Sequence, residues 1–154
     1  MAMLFTSCNL KSNVDNIQIQ KIVVKVGVSY KIDLEKETYT VYFRDGSFYE
    51  AKFTLSNKDK SDISKISKEC GLNKLKGNIN VEDNCQISPK VYTELSFYAG
   101  SNNVLVSIDA ACDNHPFFKQ GEPQRILRFL KFLNEKIFSK PEVSKAPKTD
   151  IRYM

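Results

Sequence analysis

With 154 residues, 42% hydrophobic and 27% charged side chains, the chain has the size and composition of one ordinary globular domain, which excludes a disordered or fibrous polymer. Its 23 basic and 18 acidic residues leave a net charge of +5, dispersed rather than gathered in one patch; this argues against nucleic acid as a partner and leaves room for an acidic one. No stretch reaches the ~20 apolar residues that a membrane-spanning helix requires.

The chain opens Ala2-Met3-Leu4-Phe5-Thr6-Ser7-Cys8, an apolar run ending in two small residues and a cysteine, and turns at once to the polar stretch Asn9 to Asn16. This opening resembles the lipobox of bacterial lipoproteins, in which an apolar residue and two small residues precede the cysteine where the signal is removed and the thiol is acylated. Phe5 stands where the commonest form has Leu, with Leu4 one place earlier. The resemblance covers about eight residues and says nothing of the fold. It implies a lipid attached at Cys8, with residues 1–16 a signal remnant and tether. It also implies a basic segment and further apolar residues before Met3 in the full-length gene product. The address it implies is the bacterial cell envelope, periplasmic or anchored to the outer membrane. The competing reading makes Leu4 and Phe5 the start of a strand and Cys8 a buried thiol.

From Ile22 to Leu34 every even position is hydrophobic or aromatic (Ile22, Val24, Val26, Val28, Tyr30, Ile32, Leu34) and most odd ones are polar. Period-2 alternation of this kind predicts a half-buried antiparallel strand, with a break at Gly27. Tyr39, Val41 and Phe43 then alternate up to Arg44-Asp45-Gly46, and Tyr49, Ala51, Phe53 and Leu55 alternate after it. Only a three-residue loop pairs 43 with 47, 41 with 49 and 39 with 51, which keeps the apolar set on one face; a type I turn with a bulge at Gly46 is expected.

Ser56 with Asp59 three residues on resembles a capping box and opens a helix over about 56–70, with Ile63, Ile66 and Cys70 on one face and Gly71 as its stop. A short strand at 79–81 is expected after it. A second hairpin follows, burying Val91, Thr93, Leu95, Phe97 and Ala99 on one strand and Val104, Val106, Ile108 and Ala110 on the other. A turn over Gly100-Ser101-Asn102-Asn103 would set 99 against 104 and 95 against 108. The last helix, about 122–138, has Pro123 in its first turn and a broad apolar face of Ile126, Leu127, Phe129, Leu130, Leu133, Ile137 and Phe138. The expected fold is α+β: an antiparallel sheet from two hairpins plus an N-terminal strand, packed on these two helices. Residues 17–139 would form the domain and 140–154 a flexible polar tail with no reason to pack.

Of the remaining cysteines, Cys70 and Cys112 point inward by pattern, whereas Cys85 lies in the polar loop Glu82-Asp83-Asn84-Cys85-Gln86. An envelope address allows a bridge involving Cys85, with Cys70 ahead of Cys112 as its partner. One histidine in the whole chain rules out a His-rich metal site, and no metal or cofactor is expected. His115, in a turn before Pro116, has no marked nucleophile beside it, and Asp109 and Asp113 need not converge to form a glycosidase-like pair. No catalytic residue is therefore assigned.

What remains is surface: Tyr42 and Phe48 should face each other across the first hairpin, and Tyr92 and Tyr98 should project from the second. Together they would form a recognition patch on the outer sheet face; cross-strand pairing without any partner is the competing reading. The expectation is a non-catalytic envelope lipoprotein that binds another, unidentified envelope protein, as an accessory or as an inhibitor of the immunity-protein type. The alternative is a small-ligand carrier or hydrolase with a pocket between sheet and helix.

Overall fold

The computed structural model of the chain describes residues 17–82, 90–109 and 121–152. Seven strands form one mixed sheet in the order β4-β3-β2-β1-β6-β7-β5. They are β1 (Ile17–Val26), β2 (Tyr30–Asp33), β3 (Thr38–Tyr42), β4 (Phe48–Lys52), β5 (Gly77–Val81), β6 (Tyr92–Ala99) and β7 (Asn102–Asp109). All neighbours are antiparallel except β5, which lies parallel to β7. Helices α1 (Asn57–Glu69) and α2 (Gly121–Phe138) supply the second layer, and α3 (Pro141–Ser144) follows. The architecture is α+β, with Val24, Ile32, Val41, Leu95, Phe97, Val104 and Val106 of the sheet in one core with Ile63, Ile126, Phe129, Leu133 and Ile137 of the helices.

The alternation from 22 to 34 belongs to two strands rather than one. The chain reverses over residues 27–29, so that Val26 pairs with Tyr30 and Val24 with Ile32, and the Ser29 N–H donates to the Val26 carbonyl at 2.9 Å. A three-residue turn preserves parity, so the even positions of both strands share the core face across the reversal, with Val28 left at the tip. The β3–β4 hairpin has the expected register: Val41 pairs with Tyr49 and Tyr39 with Ala51, the Phe43 N–H donates to the Ser47 carbonyl at 3.0 Å, and Gly46 takes φ 84°.

The β6–β7 turn is tighter than expected. Ala99 pairs with Asn102 and Leu95 with Val106, leaving Gly100 and Ser101 as the loop with Gly100 at φ 61°, as a two-residue turn beginning in glycine requires. The shift is two places, so the apolar faces are unchanged. The 79–81 strand is β5, longer at its start, and its parallel pairing of Ile79 with Val106 and Val81 with Ile108 makes it an edge strand of the sheet.

Both helices fall where the caps place them. The Asp59 N–H donates to Ser56 Oγ at 3.1 Å and the Ser56 N–H to Asp59 Oδ2 at 3.0 Å, a reciprocal capping box. Gly71, at φ 73°, ends α1. The segment after α2 is a correction: residues 140–152 are not a tail without a packing partner. Val143 is buried and belongs to the core cluster, the Lys140 ammonium reaches Asp59 of α1, and the Thr149 hydroxyl donates to the Tyr42 carbonyl at 2.7 Å. Two apolar residues among lysines, Val143 and Ala146, are enough to seat the segment because α3 brings them to one side.

Candidate functional site

Tyr42 and Phe48 face each other across β3 and β4, and Phe48 is 64% exposed. Tyr92 and Tyr98 lie on β6, which β2 and β1 separate from β3. Tyr98 sits opposite Gln18 and Asn103, with the Lys21 ammonium 4.9 Å from its ring centre, whereas Tyr92 stands at the other end of the strand. Six residues of strand span ~20 Å, so the four aromatics do not make the single patch expected of them. The strand order, with β2 and β1 between the two hairpins, and the length of β6 set Tyr98 apart from the others.

Three of the four, Tyr42, Phe48 and Tyr92, lie at the end of the sheet where the chain turns. There the Gly27 N–H donates to the Tyr92 carbonyl and the Tyr42 N–H to the Ser29 carbonyl, both at 2.9 Å, so the β1–β2 turn bridges the two hairpins. Beside this turn is a cleft of about 580 Å³ lined by Lys25, Gly27, Val28, Tyr42, Phe43, Arg44 and Ile151. Its volume lies within the ~300–1,000 Å³ range of small-ligand and anchor pockets.

Each wall of this cleft has a local cause. In the β3–β4 loop, Asp45 Oδ1 accepts from the Ser47 N–H at 2.9 Å and from its hydroxyl at 2.6 Å; both bonds favour the carboxylate and hold its pKa below the ordinary value. The Arg44 N–H donates to Asp150 Oδ1 at 2.8 Å and the Ile151 N–H to Thr149 Oγ1 at 3.2 Å, which seats Ile151 beside the loop. Val28 is 61% exposed at the tip of the β1–β2 turn. Among the described residues, neither the Lys25 ammonium nor the Arg44 guanidinium has a carboxylate at ion-pair distance. The cleft thus combines an apolar floor with two cations that have no ion-pair partner among the described residues. Of the lining residues only Tyr42 was expected in a binding surface; Lys25, Gly27, Val28, Phe43, Arg44 and Ile151 were not.

A second cleft, about 570 Å³, runs between α2 and the sheet, lined by Val26, Tyr30, Thr93, Leu127, Leu130 and Phe138 with Lys131, Asn134 and Glu135. Of its lining residues, Tyr30 and Phe138 pack with Tyr39 into a three-ring cluster with centres 5.5 to 5.7 Å apart. Burial, and then the neighbouring Tyr39, push the Tyr30 hydroxyl up to about 12, so it remains a neutral hydrogen-bonding group at ordinary pH.

At the β5–β7 end, the Lys90 ammonium pairs with Glu82 and lies 3.6 Å from Asp109 Oδ2, while the Tyr92 hydroxyl donates to Glu82 Oε1 at 3.4 Å. Among the described residues no group of three or more His, Cys, Asp or Glu is placed to hold a metal ion, and no helix is long and apolar enough to cross a membrane. Cys70 is buried and has no disulfide partner among the described residues; burial pushes its thiol pKa up, an inert environment for a nucleophile. Cys8, Cys85, Cys112, Asp113 and His115 lie outside the described residues, and with them the lipid attachment and the Cys70–Cys85 bridge. No protein-family model matches the chain, and no curated protein matches it either.

Proposed function

We propose that the chain is a non-catalytic protein-binding module, carried at the bacterial envelope by a lipid on Cys8, that takes a partner's extended segment in the cleft at the turn end of its sheet. The observation that carries the binding reading is the pairing of an apolar floor, formed by Val28, Tyr42, Phe43 and Ile151, with the unmatched charges of Lys25 and Arg44. Charge pairs steer encounter and fix register, while a buried apolar anchor supplies most of the affinity. The fitting partner segment therefore has an aromatic or aliphatic anchor flanked by acidic residues. The address rests on residues 3–8 alone.

The test titrates the chain with an acetylated peptide amide of sequence Glu-Phe-Glu-Leu-Glu, followed by amide chemical shifts. Shifts centred on Val28, Tyr42 and Arg44, weakened by salt and removed in Val28→Asp, support the reading. Shifts elsewhere, or an equal response to a lysine-flanked analogue, overturn it. Labelling with a palmitate analogue in a bacterial host that is lost in Cys8→Ala tests the address separately.

A second reading, a carrier of a small apolar ligand, draws support from the cleft between α2 and the sheet. A Leu127→Trp substitution fills that cleft; abolition of ligand binding there, with the peptide response intact, would favour the carrier.

A further inference from the structure

β4 is an edge strand, and no described strand lies on its outer side. The Phe43 N–H donates to the Ser47 carbonyl and the Phe53 N–H to the Glu37 carbonyl. Hydrogen-bonded and non-hydrogen-bonded pairs alternate along an antiparallel ladder. Ser47, Tyr49, Ala51 and Phe53 therefore direct their backbone groups to β3, and Phe48, Glu50 and Lys52 direct theirs away from the sheet. No described residue bonds those outward groups. Two aromatics flank the edge, Phe48 at 64% and Tyr49 at 42% exposure. On the outer face, Glu50 and Lys52 have no ion-pair partner among the described residues.

We propose that β4 pairs with β4 of a second copy of the chain, antiparallel across a two-fold axis at Ala51. The charge pattern selects both the partner and the register. Only registers that set outward-directed residues opposite one another make hydrogen bonds. Centred on Glu50 or on Lys52, such a pairing puts like charges face to face; centred on Tyr49, it puts Phe48 against Glu50. Centred on Ala51, it sets each Glu50 against Lys52 of the other copy, twice by symmetry, and each of these pairs exchanges both of its N–H···O bonds. The same register lays Tyr49 beside Phe53 of the second copy on the core side. An isologous contact of this kind closes on itself and leaves β5 as the sheet's free edge.

Sedimentation equilibrium of the full chain, from micromolar to near-millimolar concentration, tests the proposal. A monomer–dimer equilibrium is expected. Glu50→Lys or Lys52→Glu alone should weaken it about tenfold or more, because two attractive cross-strand pairs become repulsive. The double variant Glu50→Lys with Lys52→Glu should restore it, a rescue that damage to folding would not produce. Glu50→Pro removes an outward N–H without touching the β3 ladder and should abolish dimerisation while the monomer stays folded. A chain that is monomeric throughout, a dimer indifferent to the single reversals, or a double variant as weak as the singles would each overturn the proposal.

Discussion

The Lys140 ammonium, just beyond α2, donates to Asp59 Oδ2 in the first turn of α1 at 2.6 Å. Asp59 is also the capping-box residue of α1 and lies 3.3 Å from the Lys136 ammonium. One carboxylate thus starts one helix and fastens the end of the other.

That carboxylate sets an acid limit on stability. Lys140 first, with help from Ser56 and Lys136 and against the cost of burial, holds Asp59 well below the usual carboxylate range. A depressed folded-state pKa stabilises fully above the unfolded value of ~3.9, and the contribution is lost as pH falls towards the folded value. Asp59→Asn should therefore lower stability by about 2 kcal/mol at neutral pH, and the gap to wild type should shrink steadily below about pH 4. Urea unfolding across a pH series measures it. Lys136 behaves oppositely: Asp62 and then Asp59 raise its pKa. Its contribution is intact below ~10.4 and disappears as pH rises through the folded value.

Helix packing is tested in the core. Leu133 is fully buried, whereas Leu130, also buried, borders the cleft between α2 and the sheet. Leu133→Ala should cost about 3–5 kcal/mol and Leu130→Ala about 2–3, since a cavity open to an existing cleft loses fewer contacts. Equal losses below about half a kcal/mol would mean that the buried stripe of α2 is assigned to the wrong face.

The closing segment makes its own contribution. Val143→Ala in α3 should destabilise by about 2 kcal/mol, because Val143 is 3% exposed and packed into the core cluster. A thermal midpoint unchanged from wild type would return residues 140–152 to the status of a loose tail.

Gly46 isolates a backbone effect. It holds φ 84°, and a Cβ placed there meets nothing within 4 Å, so Gly46→Ala carries strain without a clash. The expected loss is about 1–2 kcal/mol, readable by chemical denaturation, with the peptide response of the neighbouring cleft retained.

Local chemistry carried much of the fold into the sequence. The Ser56–Asp59 box, Gly71, Pro123 and the spacing of Ile126 to Phe138 located both helices, because caps and 3.6-residue periodicity act within a few residues of chain. Parity also determined the β3–β4 register: with a side-chain period of two, only one loop length kept Tyr39, Val41, Tyr49 and Ala51 together. Parity carries nothing else, however. A three-residue reversal at 27–29 leaves the even set even, so a hairpin and a single strand look alike from Ile22 to Leu34. A slip of two at Gly100 is equally invisible.

Which strands became neighbours was decided only by the assembled sheet. Placing β1 between the hairpins separated Tyr42 from Tyr98, brought the Val28 turn beside Tyr42, and laid β5 parallel on β7. The cleft needs Lys25 and Val28, Arg44, and Ile151 from three distant stretches, and the edge of β4 is open because no other described strand occupies it. Hydrophobic pattern specifies which face of an element is buried; it is blind to the partner that buries it, because apolar burial is non-directional and takes whichever neighbour the whole chain can close upon.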